Sequence, residues 1–275
     1  MEPNWDSLYA VKTWRYVRLA MVLMVAAIAA AVLYERAQVH PGCFQRSISA
    51  YWYTPARGVF VGALVAIGVC LVCLRGNTPI EDLLLNVAGM LAPIVALVPT
   101  PDRGSCSSVF DLTRDQGPNV ANNVTALIVV GALGLVIAGV LLARAGPVLH
   151  VRIAYAAAVV IWAVTATVFL VARPFFTRTA HYAAAVLLFG CIVLVACSNA
   201  RGYQRVTGAG SPRNRYAAIA AAMALSVIVF GLAGLLGWDY WLIALETALI
   251  SLFAVFWVIQ TVELWNEGLR TLPAA

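Results

Sequence analysis

Three ionisable side chains within or beside apolar stretches are the first candidates for chemistry. Glu246 lies about six residues into the apolar run 240–262, among leucine and isoleucine neighbours. A carboxyl group in such surroundings must find a polar partner or be protonated, because a charge in hydrocarbon is costly. Arg57 begins one apolar run and His181 begins another, and both are predicted in the same leaflet as Glu246.

Two interpretations of these residues stay open. In the first, Arg57, His181 and Glu246 form an outward-facing polar pocket, which would suit proton- or cation-coupled transport or lipid handling. The segment before the second apolar run adds polar side chains on the same side, namely Ser49, Tyr51 and Tyr53. In the second, Arg57 and His181 are anchors at headgroup level, and Glu246 pairs with one of them for stability.

A metal site is a further alternative for two of these side chains. His40, His181 and Glu246 would together make a two-histidine, one-carboxylate site, provided that the first loop brings His40 to the other two. Lys12 is the only lysine, so the apolar runs offer no amine for a Schiff base or a phosphate-binding loop. The sequence predicts no cofactor and no metal.

The composition decides which elements must position these side chains. Of the 275 residues 63% are hydrophobic and 11% are charged, and the mean hydropathy is +0.88. Soluble domains are typically about 45–50% apolar and about 25% charged. We therefore expect an all-α, polytopic transmembrane helix bundle, with residues 1–275 forming a single integral membrane domain. The basic residues lie at the ends of apolar runs, which disfavours a nucleic-acid partner.

Eight apolar stretches are long enough to span hydrocarbon, which needs about 17–25 residues. They are 18–34, 57–74, 80–98, 122–143, 151–172, 181–198, 216–236 and 240–262. With both termini inside, eleven Lys and Arg residues lie in inner segments and seven in outer ones, which favours cytoplasmic termini. The last two stretches are separated only by 237–239, so one long kinked segment is the alternative there.

Glycine spacing and polar residues predict packing faces and end caps for several of these helices. The glycine series Gly58, Gly62 and Gly131, Gly134, Gly139 predict small faces for close helix contact. Asn122 is expected to cap the fourth span and Asp82 the third, and Glu263 is expected to be solvated after the last.

Two cysteines lie in the predicted outer loops. Cys43 follows Pro41 and Gly42 in the first outer loop, and Cys106 follows Gly104 and Ser105 in the second. Oxidation is possible outside the membrane, so we predict a Cys43–Cys106 disulfide that joins these loops. Two free thiols are the alternative, because sequence does not fix pairing.

Several segments are similar to a family of uncharacterised bacterial polytopic membrane proteins. The most specific is the run 47–64, with its Ser-Ile-Ser-Ala-Tyr start and Thr-Pro-Ala-Arg centre; runs 84–100, 181–185 and the stretch around Glu246 resemble the same family. The resemblance implies a multi-helix fold in a bacterial, specifically actinobacterial, plasma membrane. It implies no particular activity.

Function is accordingly expected to follow one of three lines. The leading hypothesis is a non-enzymatic partner, assembly or sensor protein with a disulfide-braced outer face. The alternative is a transporter or lipid-handling protein that uses Glu246 and Arg57, and the third is a membrane metallohydrolase. The expected partners are the lipid bilayer and either another membrane protein or a lipid or small ligand.

Overall fold

The computed structural model describes residues 5–39, 45–101, 116–145, 148–208 and 213–270. All regular structure in these ranges is helical, which confirms the predicted all-α class. The helices are α1 (Trp5–Gln38), α2 (Arg57–Cys73), α3 (Pro79–Leu97), α4 (Gly117–Ala145), α5 (Leu149–Val171), α6 (Arg173–Thr207), α7 (Arg215–Leu235) and α8 (Trp241–Glu263), and a 3₁₀ helix covers Ser49–Tyr53.

The helices have the length and composition of membrane spans. Seven of those described are long and apolar enough to cross a membrane, and the remaining one, α2, is apolar with 17 residues. At 1.5 Å per residue α2 is about 26 Å long, close to the hydrocarbon thickness of about 30 Å. The chain is a multi-pass membrane protein. The start of α1 and the end of α8 lie at the same end of the bundle, where Arg18 binds Gly268.

Helix α3 is central and packs most extensively against α2 and α6. It crosses α2 at two glycines, where a Cβ on Gly89 would lie 2.6 Å from the Gly68 carbonyl oxygen. By contrast, Gly58 and Gly62 face open space. The predicted contact face at Gly58 and Gly62 is therefore wrong, and the close approach occurs at Gly68, about two turns beyond Gly62.

Helices α4 and α5 form a hairpin held by two aromatic side chains. Trp162 covers Gly131 and donates from Nε1 to the Ile128 carbonyl at 2.8 Å. Tyr155 covers Gly139 in the same way, and its hydroxyl donates to the Leu135 carbonyl at 3.1 Å. Each aromatic ring thus fills a glycine site and satisfies its own donor within an apolar environment. The predicted packing role of this glycine series is confirmed at these two positions.

Several helices are longer than the predicted spans, including α1, which begins at Trp5 instead of residue 18, and α6, which ends at Thr207 instead of residue 198. Helix α4 begins at Gly117, so Asn122 lies inside it instead of capping it. Helix α6 begins at Arg173, eight residues before His181, because its first two turns continue the helix beyond the apolar run. Helices α7 and α8 are separate, as predicted, and the turn between them includes Gly237 at φ +86°, a conformation that favours glycine.

Candidate functional site

Glu246 lies in the second turn of α8 and binds the start of the 3₁₀ helix Ser49–Tyr53. Its Oε1 accepts from the Ser49 hydroxyl at 2.7 Å, and its Oε2 accepts from the Ile48 amide at 2.5 Å and the Ser49 amide at 3.4 Å. Nearby, the Ile243 amide donates to the Arg46 carbonyl at 2.9 Å. The carboxylate thus satisfies amides that the short helix leaves without an internal partner. The expected pairing of Glu246 with Arg57 or His181 is wrong, because Ser49 and Ile48 take that place.

The 3₁₀ helix is buried throughout and is anchored to the end of α3. Trp52 donates from Nε1 to the Ala96 carbonyl at 3.0 Å, and the Tyr53 hydroxyl donates to the Thr100 carbonyl at 2.8 Å. Because α3 ends at Leu97, the Ala96 carbonyl is among the last four that lack a partner within the helix. Trp52 and Tyr53 therefore satisfy one carbonyl at the end of α3 and one in the segment that follows it.

Arg57 is half-buried beside this 3₁₀ helix. Its guanidinium carbon lies 3.6 Å from the centre of the Trp52 ring, which is a close cation–π stack. Its Nη1 lies 3.4 Å from the Gln116 Oε1, just before α4. Arg57 therefore links the start of α2 to the start of α4 over an aromatic surface.

His181 meets the same segment from α6. Its Nδ1 lies 2.8 Å from the Val98 carbonyl, and its side chain is buried. The neighbouring Tyr182 hydroxyl accepts from the Thr100 hydroxyl at 2.9 Å. Tyr51, in the connection between α1 and α2, is also buried, and desolvation raises the pKa of its phenol above the ordinary value.

The structure therefore brings the six predicted site residues to one end of the bundle, which we call the Glu246 end. Ser49 and Glu246 are in direct contact. Arg57 stacks on Trp52, while Tyr53 and His181 both bind carbonyls in the segment that follows α3. Chemically, this arrangement holds helix ends and loops together. Whether any of the six binds a ligand stays a prediction.

A second polar cluster lies at the opposite end, which we call the Glu81 end, and the sequence analysis missed it. Glu81 is 2% exposed and accepts from the Asn199 Nδ2 at 2.8 Å and from the Asn77 amide at 3.1 Å. The Asn199 Oδ1 in turn accepts from the Gln260 Nε2 at 2.9 Å. These side chains come from the start of α3 and from α6 and α8, so three helices share one hydrogen-bonded network.

Glu263 continues the cluster at the end of α8. Arg270 donates to its Oε1 from Nη2 at 2.7 Å, and the Tyr216 hydroxyl donates to its Oε2. Arg215 lies 3.5 Å from the same Oε2. The Glu263 side chain is only 14% exposed, so the expectation that it is solvated is wrong. The chain after α8 folds back and delivers Arg270 to this site.

Arg18 closes the cluster from α1. It is 1% exposed, and its Nη2 donates to the Gly268 carbonyl at 2.6 Å. Its Nε and Nη1 have no hydrogen-bond partner within the described chain. Its charge interacts with Glu81 and Glu263, which offsets part of the cost of burying the guanidinium. The signal in the sequence was Gln260 within an apolar run and Asn199 directly after another, since such residues hydrogen-bond across helices.

Helix caps at this end also differ from expectation. Thr78, not Asp82, caps α3, because its hydroxyl accepts from the Glu81 amide at 3.1 Å. Asp82 instead accepts from the Gly76 amide at 3.0 Å in the preceding loop. Both carboxylates lie in the first turn of α3, where the helix dipole favours negative charge.

Two apolar grooves flank α5 within the membrane-spanning region. One has about 370 Å³ and lies between α5, α4 and the crossing of α2 with α3; the other has about 290 Å³ and lies between α5, α3 and α6. Ile94, Ile161 and Thr165 line both grooves. Their linings are almost entirely apolar, so they suit hydrocarbon and not a polar substrate.

Other predicted chemistry falls partly outside the described residues. Cys43, Cys106 and His40 lie outside them, so the disulfide and the His40 metal site stay predictions. Within the described ranges Cys70, Cys73, Cys191 and Cys197 are free thiols, and no group of three His, Cys, Asp or Glu side chains is arranged to hold a metal.

Comparison with known proteins finds no matching family model, no matching curated protein and no matching solved structure. The bacterial family resemblance of the sequence therefore stays an expectation.

Proposed function

We propose that this chain is a non-enzymatic multi-pass membrane protein that acts as a partner, in assembly or sensing, of another membrane component. The supporting observation is the use of Glu246. Both of its carboxylate oxygens accept hydrogen bonds from Ile48 and Ser49 of the chain itself. Glu246, the charged residue deepest within an apolar run, thus binds the chain's own 3₁₀ helix and is not left open to a ligand.

A transport role for Glu246 is less favoured by this geometry. A coupling carboxylate must exchange its partners for a substrate or a proton during each cycle. Here that exchange would release the Ser49 hydroxyl and the Ile48 amide and would loosen the 3₁₀ helix on α3. A carboxylate held by fixed contacts within the chain fits a structural role better than a moving gate.

The α4–α5 hairpin is the proposed contact region for the partner. Helix α4 packs mainly on α5, and its buried apolar residues in the described part are Val120 and Val124. Its outward side chains include Leu133, 59% exposed, and Ile137, 61% exposed. Because α5 covers mainly one side of α4, the other side has room for a helix of another protein.

The orientation of the chain and the membrane that holds it are also proposed. The end that holds the start of α1 and the end of α8 would be cytoplasmic, as the excess of arginine on that side favours. The chain would form one integral domain in a bacterial plasma membrane, with the Glu246 end outside and the predicted Cys43–Cys106 disulfide joining its loops.

Site-specific photocrosslinking in native membranes tests this function. A photoreactive residue at Leu133 or Ile137 is expected to give a discrete protein adduct of fixed mass. The matched control is Val255 on α8, which is 45% exposed and lies away from the hairpin. Equal adducts at Val255 and at the α4 positions, or lipid adducts alone at all of them, would contradict a partner on α4.

Lipid handling is the second candidate, and the grooves beside α5 favour it. Thr165 lines both grooves, so Thr165→Trp would fill part of each. We expect the purified variant to retain less phospholipid than the wild type, with Val255→Trp as the control on a lipid-exposed surface. Unchanged lipid retention in Thr165→Trp would remove the support for this candidate.

A further inference from the structure

A cleft of about 450 Å³ lies between α1 and the start of α2 at the Glu246 end of the bundle. The wall from α1 is made mostly of small residues, and the wall from α2 includes a proline and a valine. The lining residues are Ala27, Ala30, Ala31, Tyr34, Glu35, Pro55, Ala56 and Val59. Gly62 lies one turn beyond Val59 and faces open space. No side chain therefore blocks the cleft on the α2 side at this position.

Glu35 is the charged residue in this lining. It is 6% exposed, and no described residue donates a hydrogen bond or forms an ion pair with it. Protein covers most of the Glu35 side chain, while its carboxyl group opens into the cleft, and no hydrogen bond from the described residues replaces the water that it loses. The cleft therefore offers a negatively charged acceptor that a positively charged donor would stabilise.

The position of Glu35 along α1 places it at the edge of the hydrocarbon. Arg18 and Glu35 bracket the apolar part of α1 and are 17 residues apart. This separation corresponds to about 26 Å, close to the hydrocarbon thickness of about 30 Å. Ala31 and Ala27 continue from Glu35 toward the membrane centre over about 12 Å. The cleft is thus charged at headgroup level and apolar below it.

We propose that this cleft binds a phospholipid with a primary ammonium headgroup, taken laterally from the surrounding leaflet. The ammonium carries three N–H donors and meets the acceptor oxygens of Glu35 in charge-assisted hydrogen bonds. One hydrocarbon chain lies along Ala31 and Ala27, where small side chains leave room for it. A headgroup with only negative charge has no ammonium to pair with Glu35 and is disfavoured there. This site is independent of the proposed partner on α4.

Lipid retention by the purified full-length chain tests the site. The protein is exchanged from detergent into vesicles of phosphatidylethanolamine with phosphatidylglycerol, re-extracted, and its bound lipid is identified by native mass spectrometry. We expect wild type to retain phosphatidylethanolamine over phosphatidylglycerol by about tenfold, which corresponds to about 1.4 kcal/mol. Equal retention of the two lipids by the wild type would overturn the proposal.

Two variants and one control assign the effect to the cleft. Glu35→Gln removes the charge and Ala31→Leu fills the apolar part, and each is expected to abolish the preference. Glu267→Gln changes an exposed carboxylate at the other end of the bundle and is expected to leave it unchanged. A preference that persists in both cleft variants, or that falls equally in Glu267→Gln, contradicts the site. Thermal unfolding of each variant verifies its fold.

Two further arms identify the source of the ammonium. Free ethanolamine at millimolar concentration is expected not to displace the lipid, because it lacks the hydrocarbon chain. Displacement by free ethanolamine would overturn the lipid assignment in favour of a small amine. Phosphatidylcholine, whose quaternary headgroup has no N–H donor, is expected to be retained more weakly than phosphatidylethanolamine; equal retention would overturn the hydrogen-bonded geometry.

Discussion

The contact between Ser49 and Glu246 predicts a measurable coupling energy between two residues at opposite ends of the sequence. Glu246 accepts two short hydrogen bonds, 2.7 Å from the Ser49 hydroxyl and 2.5 Å from the Ile48 amide. Hydrogen bonds to charged groups contribute about 1.5–3 kcal/mol each. Glu246→Ala removes both and is expected to lower the free energy of unfolding by about 3–5 kcal/mol.

Ser49→Ala isolates one of these two bonds. It should lower the free energy of unfolding by about 1.5–3 kcal/mol, the value of one hydrogen bond to a charged group. The bond from the Ile48 amide to the carboxylate remains in this variant. The double variant loses the Ser49–Glu246 bond only once, so its cost should be less than the sum of the single costs by about 1–2 kcal/mol.

Unfolding in mixed micelles, with increasing sodium dodecyl sulfate and helicity as the readout, measures these values. Glu267→Ala is the matched control, because Glu267 is exposed, and it should change stability by no more than about 0.5 kcal/mol. Additivity of Ser49→Ala and Glu246→Ala within about 0.5 kcal/mol would refute the argument that the carboxylate holds the 3₁₀ helix through this bond.

Four other substitutions test three separate contacts by the same unfolding measurement. Arg270→Ala should cost about 2–3 kcal/mol, below the 3–5 kcal/mol of a fully buried pair because Tyr216 and Arg215 still bind Glu263; a neutral result would mean that Arg270 is not part of the cluster. Gly89→Ala should cost about 1–3 kcal/mol through its clash with Gly68, whereas Gly62→Ala in open space should stabilise by up to about 1 kcal/mol, and similar effects at both sites would argue against the close crossing. Trp162→Phe should cost about 0.5–1.5 kcal/mol by leaving the Ile128 carbonyl without its second donor, and no change would show that the hairpin does not depend on this bond.

The number of helices and their approximate limits were predictable, because apolar run length directly reflects membrane thickness. The true helix ends were not, as α4 and α6 show. Hydropathy reports depth in the bilayer, whereas Gly117 and Arg173 begin their helices in polar sequence outside the apolar runs. A helix can continue beyond the hydrocarbon wherever its backbone remains hydrogen-bonded.

The candidate site was predictable in its members and not in its contacts. Sequence placed Glu246, Arg57 and His181 at one end because each lies near the same end of its apolar run. The contact itself could not be found this way, since Ser49 and Ile48 lie 197 and 198 positions from Glu246, and their place in the sequence does not show which polar side chain they meet. Glu35 was overlooked for a similar reason: it follows the first apolar run and resembles a solvated residue until α2 covers it.

The bond between Ser49 and Glu246 also bears on how the molecule is made. Its two residues are 197 positions apart, so seven helices must have been synthesised before the eighth can complete the contact. Until then the 3₁₀ helix has amides and a serine hydroxyl with no carboxylate to bind, at the boundary of the lipid. Early insertion intermediates therefore differ from the finished protein at this point, and an insertase or membrane chaperone would find there the signal that synthesis is incomplete.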